Sequence, residues 1–139
     1  MRVCPSVGLL SLAILLTACG DSRSEKNKAL EKLQSWTATV HFVSTAWRAG
    51  SVPKAYTMDT LQIAGEQVHE KGEQFLRAPF PAQLQSQLSG HMARIENLIA
   101  RLSAAVKRGD KNAAEEEEQQ LAAEQKFLDS LRSRTRVSP

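Results

Sequence analysis

The chain contains few of the residues that build β-structure or covalent scaffolds. Its 139 residues include two cysteines, five prolines and seven glycines, and only 5% are aromatic. Alanine, leucine, glutamate, glutamine, lysine and arginine dominate instead, and these residues favour helices over strands. A β-sandwich or β-barrel is therefore excluded. With 42% hydrophobic and 24% charged residues, the composition is that of one ordinary soluble domain.

Patterns that support common catalytic or cofactor chemistry are also missing. The chain has no Gly-x-Ser-x-Gly elbow, no glycine-rich phosphate loop before a helix, no haem-attachment motif and no cysteine pair for zinc. The formal net charge is +3, and the basic residues are spread along the chain instead of forming a stripe with stacking aromatics. We therefore expect neither an enzyme nor a bound cofactor, and we do not expect nucleic acid as a partner.

Residues 1–18 have the organisation of an export signal. Arg2 supplies one positive charge, residues 7–16 form an apolar run without a charged side chain, and two small residues follow. A helix of about ten residues covers only half of a ~30 Å hydrocarbon core. The segment is therefore too short to remain as a membrane span, and we expect it to be removed.

The motif Leu16-Thr17-Ala18-Cys19 resembles the lipobox of bacterial lipoproteins. The resemblance implies cleavage before Cys19, a diacylglycerol on its sulfur and an acylated amino terminus, so that the protein is held on a bacterial membrane facing the periplasm. Inner-membrane lipoproteins of Gram-negative bacteria often carry Asp directly after this Cys. Here Gly20 occupies that position and Asp21 comes next, which favours the outer membrane. Cys4 leaves with the signal, so no disulfide forms within one mature chain.

Helical periodicity divides the rest of the chain into four segments. The first is predicted to begin at the capping box Ser22-Arg23-Ser24-Glu25 and to end at Gly50. The second is predicted to begin near Ser51, with Pro53 in its first turn, and to end before Pro79. Each boundary carries a residue type that starts or stops a helix.

The third predicted helix follows the break at residues 79–81 and ends at Gly109, and Asp110 caps the fourth. We assign residues 19–24 to the lipidated N-terminus with a short tether, and residues 25–136 to the helical domain.

Each predicted helix carries an apolar stripe with steps of three and four residues. Because short connections force successive helices to be antiparallel, the stripes predict an all-α protein, an up-down-up-down antiparallel four-helix bundle. The stripes consist of Leu33, Trp36, Val40, Val43 and Trp47; of Thr57, Leu61, Ala64, Val68, Gly72 and Phe75; of Leu84, Leu88, Met92, Ile95, Ile99, Leu102 and Val106; and of Ala114, Leu121, Leu128 and Leu131.

The fourth helix carries two charge clusters, which are the glutamates 115–118 and the arginines Arg132, Arg134 and Arg136. Acidic residues near the start of a helix and basic residues near its end suit the helix dipole. We expect both clusters to be solvated, in preference to an acidic metal-binding patch or a basic ligand patch.

The first helix lacks the polar outer face expected of a surface helix. No charged residue occurs between Lys32 and Arg48, and Phe42 falls opposite the core stripe. Either this helix is central and covered on both sides, or the face docks a second copy or another protein. Tyr56 and Ile63 fall off the second stripe and would extend the same patch. The face comprises Ala38, Phe42, Thr45, Ala46 and Ala49.

One fragment, Glu66-x-x-His69, matches half of the carboxylate-bridged di-iron pattern, but the required second copy is missing. His69 and His91 lie at similar distances from the turn at residues 79–81, so they could share a Cu or Zn site. The other interpretation is two half-buried histidines satisfied by neighbouring groups. Further metal ligands would come from Glu66, Glu70, Glu73 or Met92.

These patterns favour a membrane-anchored envelope lipoprotein that acts as a non-enzymatic helical binding or scaffolding module, whether alone or as the accessory of an envelope complex. Its partners are the membrane, through the lipid on Cys19, and either an unknown protein or a second copy. The alternative function is a periplasmic metal- or cofactor-binding bundle that uses His69 and His91.

Overall fold

Four helices form the bundle. The computed structural model describes the backbone of residues 18–137 and the side chains of residues 23–134, and in that part of the chain all regular structure is helical. The helices are α1 (Ala18–Arg48), α2 (Lys54–Leu76), α3 (Ala82–Arg108) and α4 (Lys111–Val137). Helices α1 and α3 each pack on both α2 and α4, whereas α1 and α3 barely touch each other. The predicted all-α antiparallel four-helix bundle is confirmed.

The two glycine turns that end α1 and α3 have the same geometry. Gly50 and Gly109 adopt left-handed φ values of 76° and 75°. The next residue in each turn donates its N–H to the carbonyl five residues earlier, at 2.9 Å from Ser51 and 3.0 Å from Asp110. This is a Schellman motif, which ends the helix and reverses the chain. Both predicted helix ends are therefore confirmed.

The predicted start of α1 is wrong. The helix begins at Ala18, so residues 19–24, expected as a tether, are helical and continuous with the rest of α1. Nothing between Ala18 and Ser22 breaks the i to i+4 hydrogen bonding, because a lone Gly20 costs a helix only about 1 kcal/mol. The backbone of Ser22 and Glu25 consequently lies inside the helix instead of at its cap.

The starts of α2 and α4 are set by single residues. Pro53 was expected inside the first turn of α2, but its ψ of 146° is extended, so it is the N-cap and the helix begins at Lys54. Asp110 caps α4 as predicted, since its Oδ1 accepts the Ala113 N–H at 3.0 Å.

The core runs along the axis of the bundle and follows the predicted stripes closely. The stripe of α2 is buried at every position, and so is that of α4. Two predicted core residues, Trp36 and Leu84, are half-buried. Thr37 is buried although it lies off the α1 stripe; its Oγ1 donates to the Leu33 carbonyl at 2.9 Å, which satisfies the hydroxyl in an apolar environment.

Candidate interaction surface

The uncharged face of α1 lies on the outside of the bundle. We call Ala38, Phe42, Thr45, Ala46 and Ala49 the outer α1 face. The Phe42 side chain is 73% exposed, and of the other four residues only Ala46 is half-buried. Since α1 packs on α2 and α4 through its opposite side, the explanation in which α1 is central and covered on both sides is wrong.

Two large apolar side chains of α2 are exposed as well. Tyr56 is 61% exposed and Ile63 is 51% exposed. On α2, Gly65 and His69 contact α3, and at about 100° per residue Tyr56 and Ile63 fall on the other flank, next to α1. That these two side chains extend the apolar surface around Phe42 stays a prediction.

The outer α1 face is bordered on the α4 side by an ion pair that fixes α1 against α4. Glu118 is only 3% exposed. Its carboxylate accepts hydrogen bonds from Arg48 Nε at 3.1 Å and Nη2 at 2.9 Å, and from Thr45 Oγ1 at 3.2 Å. Arg48 also lies 3.2 Å from a carboxylate oxygen of Glu115. The hydrogen bond to Glu118 raises the pKa of the Arg48 guanidinium above its usual value.

The expectation that residues 115–118 form a solvated cluster is therefore wrong for part of the run. Glu118 is buried, and Glu117 forms an ion pair with Arg101 of α3 at 2.9 Å. The sequence contained the signal, because Glu118 lies four residues after Ala114 and three before Leu121, on the apolar stripe itself. A charged residue on a core stripe predicts a buried partner.

A second buried carboxylate joins α3 to α4. Glu124 is 5% exposed and accepts hydrogen bonds from His91 Nδ1 at 2.6 Å and from Arg94 Nη1 at 2.9 Å. The His91 ring stacks on Phe127 with 3.5 Å between centroids. Glu124 also lies on the α4 stripe, three residues after Leu121. As for Glu118, its position on the stripe is the sequence signal that indicates a buried partner.

The structure does not bring the two histidines together. His69 is 60% exposed and contacts Glu73 on α2 and Glu96 on α3, the latter at 3.2 Å. His91 lies on the other flank of α3, against α4. Glu66 accepts a hydrogen bond from Gln62 at 3.1 Å instead of contacting His69. Among the described side chains, no three His, Cys, Asp or Glu residues form a group that could hold a metal ion.

The predicted anchor lies at the very start of α1. Cys19 is the second residue of the helix, and its side chain lies outside the described residues, as do residues 1–17 with the predicted signal. Within the described part of the chain, no helix is both long enough and apolar enough to cross a bilayer.

At least two cavities open on the surface of the described bundle. One, of about 560 Å³, lies between α2 and α3, and its lining includes Gly65, Glu66, Glu96 and Ile99. The other, of about 400 Å³, lies at the end of the bundle where α1 begins, and its lining combines aromatic and basic side chains.

Comparison of the chain with protein-family models, with curated proteins and with solved structures finds no significant match. Function is therefore inferred from the residues of this chain.

Proposed function

We propose that this chain is a lipid-anchored protein of the bacterial envelope whose four-helix bundle acts as a non-enzymatic binding module. Lipid on Cys19 holds it to the membrane, and the outer α1 face binds a second copy of the chain. The observation that carries the proposal is the 73% exposure of Phe42 on a face without charge. Contiguous exposed apolar surface of this kind marks interaction sites.

The anchor and the face belong to the same helix, which determines how they are arranged. Cys19 and Phe42 are separated by 23 residues, so a helix rise of ~1.5 Å per residue puts them about 35 Å apart. A bundle that stands on its anchor therefore carries Phe42 well above the lipid headgroups. The membrane does not cover the face in this arrangement, and another protein surface must do so.

A second copy fits this face for two reasons. Anchoring at Cys19 orients α1 of every copy in the same direction from the membrane, which is compatible with a two-fold axis along the membrane normal. The alanines and threonine around Phe42 are small, so two α1 helices can approach within the usual 8–10 Å between axes. Each Phe42 ring would then pack on the small residues of the other copy.

Sedimentation of the body tests the pairing. Among the described residues, every buried hydrophobic side chain lies between Ala29 and Leu131, so a chain of residues 20–139 contains the described core. We expect a dimer for this body and a monomer for Phe42→Glu, with equal helical content by circular dichroism. The matched control is Gln87→Glu, which adds the same charge at an exposed position of α3. A monomeric parent at every concentration would contradict pairing.

Crosslinking in intact cells identifies the occupant. A photoreactive amino acid at position 42 of the full-length chain should give a product with twice the mass of the protein. A product with a different protein, and none with a second copy, would replace the proposed dimer by a heterologous complex.

Mass spectrometry of the protein extracted from membranes tests the anchor separately. We expect a mature N-terminus at Cys19 that carries diacylglycerol and an additional acyl group, and we expect Cys19→Ser to lose both. Cleavage at another bond, or an unmodified thiol at Cys19, would contradict lipid anchoring.

A further inference from the structure

The cavity of about 400 Å³ lies at the end of the bundle that carries the anchor. Residues from the start of α1, the end of α2, the start of α3 and the end of α4 line it. Its volume falls within the ~300–1,000 Å³ range of small-molecule sites. Because α1 begins at Ala18, the cavity is within a few helical turns of Cys19. In a lipid-anchored protein, this is the end that faces the membrane.

The lining of this cavity has two chemically distinct parts. The apolar part is built around Phe75 and Phe80, whose ring centroids are 5.3 Å apart, with Leu84 half-buried beside them. The polar part includes Lys26 and Arg134, and none of the described residues that line the cavity is acidic. A cavity with an apolar interior and a basic rim fits an amphiphile with an anionic head.

Lys26 links the two parts. Its Nζ lies 4.2 Å from the centroid of the Phe80 ring, in a cation–π contact. The ammonium group is thus held at the mouth of the apolar part, where the charged head of an inserted chain would be. Arg134 approaches the same mouth from α4 and is exposed.

The net charge of the bundle is also more positive in the half that carries the anchor. The half that contains the start of α1, which is residues 23–35, 66–95 and 124–134, has ten basic and seven acidic side chains. The other half, residues 36–65 and 96–123, has six basic and seven acidic side chains. An anionic membrane surface attracts the basic half by about 1 kcal/mol for each basic residue near it.

We infer that this anchor-end cavity binds an anionic phospholipid of the membrane that holds the protein. One acyl chain packs against Phe75, Phe80 and Leu84, and the phosphate pairs with Lys26 and Arg134. The placement of the cavity at the membrane depends on the proposed lipid on Cys19, but the chemistry of the cavity does not. The bound phospholipid would keep the bundle upright on its anchor, so that the outer α1 face points along the membrane plane.

Vesicle flotation with the body of residues 20–139 tests the inference without the anchor. The probes are vesicles of phosphatidylglycerol mixed with phosphatidylcholine, and vesicles of phosphatidylcholine alone. We expect binding to the first and not to the second, and a loss of about tenfold or more for Lys26→Glu with Arg134→Glu. The matched control carries Lys107→Glu and Arg108→Glu at the opposite end of the bundle, and it should bind like the parent.

A second variant separates insertion into the cavity from attraction at the surface. Leu84→Ser keeps every charge but makes the apolar part polar, and it should also weaken binding to the mixed vesicles. NMR titration with a short-chain phosphatidylglycerol should shift the amides of Phe75, Phe80 and Leu84, whereas inorganic phosphate should not. A parent that does not float, or a Leu84→Ser variant that binds as well as the parent, would overturn the proposal.

The result of the vesicle-binding experiments does not depend on the test of lipidation at Cys19. The body lacks Cys19, so a failure to bind vesicles leaves the mass-spectrometric result on lipidation intact. An unmodified Cys19, in turn, would remove the anchor while leaving lipid binding by the body to be read directly.

Discussion

Arg48 at the end of α1 donates hydrogen bonds from two nitrogens to the carboxylate of Glu118 on α4, from Nε at 3.1 Å and from Nη2 at 2.9 Å. The Glu118 side chain is almost fully buried, whereas the Arg48 side chain keeps 24% of its surface exposed. The Arg48 guanidinium therefore covers the Glu118 carboxylate and shields it from water. The two helices joined by this pair are the first and the last of the four described helices.

Removing the arginine should destabilise the bundle strongly. Arg48→Met leaves the Glu118 carboxylate buried without its partner, which typically costs about 3–5 kcal/mol of the free energy of unfolding. Arg48→Met combined with Glu118→Leu removes both charges and should recover most of that loss. Urea titration of the three proteins, followed by circular dichroism at 222 nm, measures the difference.

Arg77→Met provides the control for this prediction. Arg77 is 79% exposed and pairs with Glu73, which is 57% exposed, so its loss should cost at most about 1 kcal/mol. Equal losses for Arg48→Met and Arg77→Met would mean that burial of Glu118 does not decide the energetics.

The fold could be predicted from the sequence because its determinants are local. The stripe of α2 was predicted at every position, and Gly50 and Gly109 end their helices as expected, since spacing and left-handed φ are readable from a few residues. Glu118 was missed because residues 115–118 were interpreted as one surface cluster, and Glu124, which lies outside that run, was not considered as a buried residue. Their positions on the α4 stripe were visible, but their partners on α1 and α3 are fixed only by the packing of the bundle.

The two histidines should differ in their effect on stability. His91→Ala loses the stack on Phe127 and a hydrogen bond to the buried Glu124, each worth about 0.5–1.5 kcal/mol. His69 is 60% exposed, and its contacts with Glu96 are open to water, so His69→Ala should change the free energy of unfolding by no more than about 0.5 kcal/mol. Urea titration of both variants in the presence of a chelator excludes contributions from metal. Similar losses for the two variants would contradict this assignment.

One substitution, glycine to alanine, should act in opposite directions inside α3 and at the turn that ends it. At Gly90, in the middle of the helix, an added Cβ meets no atom within 4 Å, so Gly90→Ala should raise the free energy of unfolding by about 1 kcal/mol through helix propensity. At Gly109 the φ of 75° disfavours a side chain. Gly109→Ala should therefore lower the free energy of unfolding by about 1 kcal/mol. Thermal unfolding of both variants checks the signs, and a stabilised Gly109→Ala would refute the backbone argument.

The outer α1 face shows what the sequence left open. A helix without charge between Lys32 and Arg48 is compatible with a central helix or with an exposed docking face, because both place apolar residues all round it. The distinction depends on which helices pack beside α1, and one of the two, α4, comes from a distant part of the chain. Only the packing showed that Phe42 is exposed.

Phe42 and Phe75 should separate binding from folding. Phe75 is 2% exposed in the core, so Phe75→Ala should lower the free energy of unfolding by about 3–5 kcal/mol. Phe42 makes little contact within the monomer. At concentrations where the body is monomeric, Phe42→Ala should therefore change the free energy of unfolding by no more than about 0.5 kcal/mol. At concentrations where it pairs, the parent should gain stability by mass action and Phe42→Ala should not. Unfolding midpoints measured across protein concentrations give both quantities, and a midpoint of the parent that is independent of concentration would argue against pairing through this face.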